Sequence, residues 1–438
     1  MTQYPYSCGN ASHFSRRTLV SATGLAGATW LTPLSRVLAQ QADIKSQPRA
    51  KSVIVLWLQG GPSQLDTFDP KPGTLGGGDT KAIMTSVPGI QLAEGFEPLA
   101  ELMDDVSIVR SVVSKEGDHE RATYNVKTGF RPDPTLVHPA LGAVLCHQLP
   151  DDLEIPRHVS IYPGAWPARG GYLGDQFDAF KINDPKGRIP DVRTGIKDER
   201  LKQRLDDLVN VVESEFARGR IKDVDSAKTL HKASILNARR MMSSEQLDAF
   251  DVSKAPEAVL KKYGETRFGR GCLAAIQLIE AGVRCVEVTL NGWDSHANNH
   301  GVQRGQVDIL APAFAALVAD LKARDLLDQT VVLCGGEFGR TPRITPITEG
   351  REHWPHGFSV ALAGGGIRGG QIVGETDTEI DFDDRKSRTK HVVDPKNVED
   401  IHATVLHTLG IDFEQELQTP VGRPMIVSKG APIKQLVG

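Results

Sequence analysis

The chain has 438 residues, 39% of them hydrophobic and 24% charged, with 51 Lys and Arg against 55 Asp and Glu. This is ordinary globular usage, enough to bury one large α/β core or two smaller ones, and it excludes a disordered or fibrous chain. A net charge of −4 without any basic stripe argues against nucleic acid as a partner.

Ser15, Arg16 and Arg17 precede an uncharged run of small and apolar residues from Thr18 to Leu31, and Val37 and Ala39 then carry the spacing a signal peptidase reads. This pattern is that of a twin-arginine export signal over residues 1–39, which predicts a periplasmic or secreted protein with the Tat translocase as a transient partner. The apolar run is shorter than the roughly 20 residues of a spanning helix, so no stable membrane span is expected. A polar linker over 40–51 leads to a single α/β domain over 52–438. Beyond the signal, Cys146, Cys272, Cys285 and Cys334 stand singly and read as small buried hydrophobes, with a Cys272–Cys285 disulfide left open.

Ser52–Leu58 (SVIVLWL) predicts a buried strand, turned sharply at Gln59–Pro62. The loop after it carries Asp66, which reads either as a turn carboxylate or as a metal or substrate contact. Val106–Val113 is a second strand. Asp118 can cap a helix that begins at His119 and stops at Gly129. His119 and Arg121 then lie in its first turn, where backbone N–H groups favour an anion, although a plain surface histidine fits the same spacing. Val159–Tyr162 is a short third strand, and the charged, Leu-containing stretch of about 188–260 reads as a helical insertion, with Met241 and Met242 as packing residues.

Phe268–Ala281 has helical spacing, and Val283–Leu290 is a strand that ends in a loop holding Asp294, His296 and His300. A carboxylate and imidazoles so close together suit Zn, Mn or Fe, while Asn298 and Asn299 look like turn residues. Ala311–Leu327 is an amphipathic helix feeding the segment VVLCGGEFGRTPR, Val331–Arg343. There an apolar strand meets two glycines, Glu337 and Arg340, which is how a parallel strand ends at a reaction site. The next loop adds Arg351, His353 and His356 beside Trp354, and Ser359–Ala363 is a further strand. Val398–Gly410 closes the pattern as a helix whose His402 and His407 read as ordinary surface or partly buried residues.

The strings GGPSQLDTFDPKP, FGRGCLAAIQLIEAGVRCVEVT, GWDSH and GGEFGRTPR resemble domain-of-unknown-function family 1501 across the region after the signal. That family looks like a divergent branch of the alkaline phosphatase and sulfatase superfamily, which implies a three-layer sandwich with a mainly parallel sheet and a metal site at its strand ends. In the superfamily the nucleophile opens a helix nine positions before the Thr of a Thr-Gly pair, and counting back from Thr128 reaches His119. Asp294 with His296, Glu337 with Phe338 before Gly339, and His356 with Gly357 and Phe358 are similar to the ligand-bearing strings. Three positions depart from the pattern: Gln59 stands where the first strand's Asp ligand belongs, Phe338 where a His does, and His119 where Ser, Thr or the sulfatase Cys does.

The resemblance thus implies an exported hydrolase of phosphate or sulfate esters using a divalent metal (Zn, Mn, Fe or Ca) on a small-molecule or polysaccharide ester. Asp294, His296, Glu337 and His356 are the expected ligands, with His353 and Asp66 behind them. His119 is the expected nucleophile or acid/base, and Arg121 and Arg340 the expected anion clamps. The alternative is an exported, non-catalytic ligand-binding protein on the same fold.

Overall fold

The computed structural model describes residues 50–187 without 152, residues 189, 198–207, 238 and 240–242, and residues 244–437 without 378–391. The expected export signal and most of the expected helical insertion therefore lie outside the described residues. Among the described residues no helix is long and apolar enough to cross a membrane.

The apolar runs form strands β1 (Ser52–Gln59), β2 (Val106–Val113), β3 (His158–Ile161), β4 (Phe180–Ile182), β5 (Cys285–Asn291), β6 (Thr330–Gly335) and β7 (Phe358–Ala363). Two short strands, β8 (Ile372–Val373) and β9 (Lys396–Asn397), both pair with β2. They build one nine-stranded sheet in the order β8-β2-β7-β6-β1-β5-β3-β4, with β9 also on β2. Every pairing is parallel except those of β7, which runs antiparallel to both β2 and β6.

Central strands buried on both faces need apolar side chains in both directions, which is why β1 reads as an unbroken run and not as an alternation. Ile54, Leu56 and Leu58 point into one core, and Val53 points into the other. Helices α3 (Arg267–Glu280) and α4 (Asn299–Ala323) pack into the first core. Helices α2 (Leu141–Gln148) and α5 (Val398–Thr408) pack into the second. The result is a three-layer α/β/α sandwich on a mostly parallel sheet.

Helix α1 (His119–Thr128) forms as its sequence predicts: the Asp118 carboxylate accepts from the backbone N–H groups of Glu120 and Arg121, and Gly129 ends the helix with φ of 75°. Only a residue without Cβ adopts that left-handed geometry cheaply. Helix α4 starts at Asn299, well before the expected Ala311. Asn299, Gln303, Val307, Leu310 and Ala311 share its buried face at helical spacing, so the polar stretch around Gly301 and Gly305 is drawn into the helix by packing. His300 is thereby helical and not a loop residue. The four described cysteines are buried free thiols, and Cys272 and Cys285 belong to opposite cores. His402, read as a surface or partly buried residue, is buried, its Nε2 2.8 Å from the Val126 carbonyl.

Candidate metal centre

Parallel pairing brings the carboxyl ends of the strands to one edge of the sheet. The register sets Gln59 opposite Asn291 and Trp57 opposite Gly335, so the chain leaves β1, β5 and β6 at one level. Asp294 follows β5, Glu337 follows β6 and His119 follows β2. Because β7 runs the other way, the segment that enters it, with His353, starts from the same edge.

Glu337, with no exposed surface, is the floor of this site. Its Oε1 lies 2.7 Å from His119 Nδ1 and accepts from the Gly60 N–H at 2.9 Å, while its Oε2 is buried without a hydrogen-bond partner among the described residues. Gly60, at φ of 118°, has no room for a side chain, since an added Cβ would lie 2.6 Å from the Asp294 nitrogen. With Nδ1 held by a carboxylate, Nε2 of His119 is directed outward, 3.5 Å from Asp294 Oδ2. Asp294 Oδ1 lies 3.6 Å from Nε2 of His353 and 3.1 Å from Nε2 of His296, and the two imidazole Nε2 atoms are 3.1 Å apart. One ligand atom from each of His119, Asp294 and His353 falls within 4.8 Å of the others. Three ligands of this kind around an open position are the donor set of a divalent transition metal.

Burial and the neighbouring groups shift the two imidazoles of the site in opposite directions. The hydrogen bond to Glu337 raises the His119 pKa above the ordinary imidazole value, against the opposing effect of burial. Burial pushes the Asp294 carboxyl up, but Arg340, His296 and His119 together hold it below the usual carboxylate range. Burial lowers the His353 pKa, which favours the neutral form that ligates metals. Outer partners orient each ring, as they do in metal sites. His353 Nδ1 is 2.8 Å from the Gly117 carbonyl, and His296 Nδ1 is 2.7 Å from Glu352. The Phe338 ring packs against His119 and His353 with centroids 5.0 and 4.4 Å away.

The structure thus gathers His119, Asp294, His296, Glu337, His353 and Arg340. Arg340 is a brace, not a free clamp: wholly buried, it donates to the carbonyls of Gly60, Gly61 and Arg351 and to Asp294 Oδ1 at 2.5 Å. Three expected residues lie elsewhere. Arg121 is half exposed and pairs with Glu116 at 2.7 Å. His356 lines a separate cavity near the carboxyl end of α1. Asp66 is enclosed in its own network, 2.7 Å from His300 Nδ1, 2.8 Å from Asn299 Nδ2 and 3.0 Å from Arg351 Nε. Sequence reasoning passed over Glu352 and the ring stack of Trp166 on His119, 6.5 Å between centroids. Glu352 carried one signal, its place directly before His353.

A search of the curated proteins finds none similar to this chain. Solved structures with similarity include the PsFucS1 sulfatase from Pseudoalteromonas sp., at 11% identity and TM-score 0.39 over 87% of this chain and 71% of that one. The alkaline phosphatase of the Antarctic bacterium TAB5 is similar at 13% identity and TM-score 0.35, over 83% and 99% of the two chains. The lipoteichoic acid synthase LtaP from Listeria monocytogenes follows at 9% identity and TM-score 0.36, over 90% and 77%. Residues 50–437 match the family model described as "Protein of unknown function (DUF1501)", and the chain belongs to that family.

Proposed function

We propose that this protein is an exported, metal-dependent hydrolase of phosphate or sulfate esters on an alkaline-phosphatase-like fold. The observation that carries the reading is the convergence of His119, Asp294 and His353 beyond the strand ends, with Glu337 buried behind His119. His119 Nε2, a carboxylate oxygen of Asp294 and His353 Nε2 would hold one divalent ion (Zn, Mn, Fe or Ca), with His296 at its solvent side. Bound there, the ion supplies Lewis-acid polarisation of the ester oxygen.

The protein's own residues do the rest. Glu337 sets the His119 tautomer and leaves Nε2 as the acceptor, so His119 is better placed as a ligand than as a nucleophile. His296, 44% exposed and backed by Glu352 at 2.7 Å, is the group placed at the rim to serve as general acid toward a departing ester oxygen. Arg340 keeps Asp294 ionised and fixed in place. The substrate class extends to a small-molecule or polysaccharide ester.

A second reading, a non-catalytic ligand-binding protein, is favoured by the Asp294–Arg340 bond, which already neutralises the carboxylate. Elemental analysis of protein purified without chelator separates the two, followed by turnover of p-nitrophenyl phosphate and p-nitrophenyl sulfate. About one equivalent of metal, lost together with hydrolysis in Asp294→Ala and His353→Ala, supports the enzyme. Protein that binds no added Zn, Mn, Fe or Ca, and turns over neither ester, overturns it and leaves the binding protein.

A further inference from the structure

A second cavity, of about 690 Å³, opens at the other end of α1 from His119. Its lining includes none of His119, Asp294, His296 and His353. Four cationic side chains line it, Lys115, Arg131, Arg423 and Lys429, against the carboxylates Asp133 and Glu399. Arg131 is paired with Glu116 at 2.6 Å. Lys115, Arg423 and Lys429 have no carboxylate within ion-pair distance among the described residues. Lys429 instead stands over the Phe130 ring, 5.6 Å from its centroid.

His138 lines the same cavity and is 97% buried. Its backbone N–H donates to the Tyr124 hydroxyl oxygen at 2.6 Å, and that hydroxyl lies 2.9 Å from His138 Nδ1. The hydroxyl proton has no other acceptor among the described residues, so it goes to Nδ1 and the ring proton resides on Nε2. Nε2 is then a buried donor, and it has no acceptor among the described residues. Burial lowers the His138 pKa to about 4, and Lys429 and Arg423 add to the effect, so the ring is a neutral donor at ordinary pH. A buried N–H without an acceptor is destabilising, and an oxyanion between this donor and two free cations would satisfy all three.

We propose that this cavity is a binding site for an oxyanion-bearing small molecule, whose charged group is held by Arg423, Lys429 and Nε2–H of His138. Phe130, stacked on His138 with centroids 4.3 Å apart, offers the apolar wall for the rest of the ligand. The candidate metal centre lies at the first turn of α1 and this cavity at its last, and binding here does not depend on any chemistry there.

The test titrates the protein, labelled with ¹⁵N-histidine, with sulfate, inorganic phosphate and glucuronate in separate series. A saturable downfield shift of the His138 Nε2–H resonance, with the His119 resonances unmoved, supports the site, and the anion that gives it identifies the class. In Arg423→Ser/Lys429→Ser, both surface positions, the apparent Kd should rise about tenfold or more, a loss of roughly 1.4 kcal/mol. No saturable shift with any of the three anions, or the same affinity in the double variant, overturns the proposal. Because the reporter is His138, anion binding at the metal centre alone would be read as failure here.

Discussion

Glu337 and His119, 218 residues apart in the chain, share a 2.7 Å contact between Oε1 and Nδ1. The contact joins the end of the β6 strand to the first turn of α1, and it decides which nitrogen of His119 is free. A buried carboxylate behind a ligating imidazole raises its basicity and fixes its orientation.

Glu337→Gln keeps an acceptor for both the Gly60 N–H and His119 Nδ1–H and removes only the charge. Metal affinity, measured by competition with a chromogenic chelator, should fall about 10- to 100-fold, with little change in the fold. An unchanged affinity would remove Glu337 from the account of the site.

Phe338 is fully buried and contacts both the His119 and His353 rings. Phe338→Ala should destabilise the protein by about 3–5 kcal/mol through the cavity it leaves, seen as a lower urea midpoint at unchanged m-value. A loss under about 1 kcal/mol would show that the ring is not packed as described.

The Asp66–His300 pair predicts a pH dependence of stability. The hydrogen bond to Asp66 raises the His300 pKa above the ordinary value of 6.5, so its contribution is fully present below 6.5 and is lost as pH rises through the folded-state value. Burial alone would raise the Asp66 pKa, but His300, Arg351, Ser63 and Thr80 hold it well below 3.8, so its contribution is present above 3.8 and lost in acid. Wild-type Tm should therefore exceed that of His300→Gln most between about pH 4 and 6.5. A difference that stays constant from pH 5 to 9 would contradict the pair.

Lys127 and Glu287 form a buried ion pair at 2.8 Å between α1 and β5. Lys127→Met leaves a buried carboxylate unpaired and should cost about 3–5 kcal/mol, whereas Lys127→Met/Glu287→Leu should recover most of that loss. Chemical denaturation of the three proteins checks it. A double variant no more stable than the single one would show that the carboxylate is not the source of the cost.

Much of the fold and part of the site were legible in the residues themselves. Unbroken apolar runs marked β1, β2 and β6, and Asp118 and Gly129 marked both ends of α1, because those are local effects of burial and capping. The gathering of Asp294, His296, Glu337 and His119 followed from the rule that parallel strands deliver their following loops to one edge. Which side chains meet there depended on pairing that no local signal carries. The antiparallel course of β7 brings His353 to Asp294, while His356, three residues on, lines another cavity. Arg340 sits close enough to clamp an anion but is spent on three backbone carbonyls, two from the turn after β1 (Gly60 and Gly61) and one from Arg351 in the segment that leads to β7. Asp66 is drawn to His300 and Arg351 by the early start of α4, a consequence of packing against the core. Residue types and strand ends therefore name the chemistry, and long-range register decides which atoms carry it, since a few ångströms of placement separate a ligand from a brace.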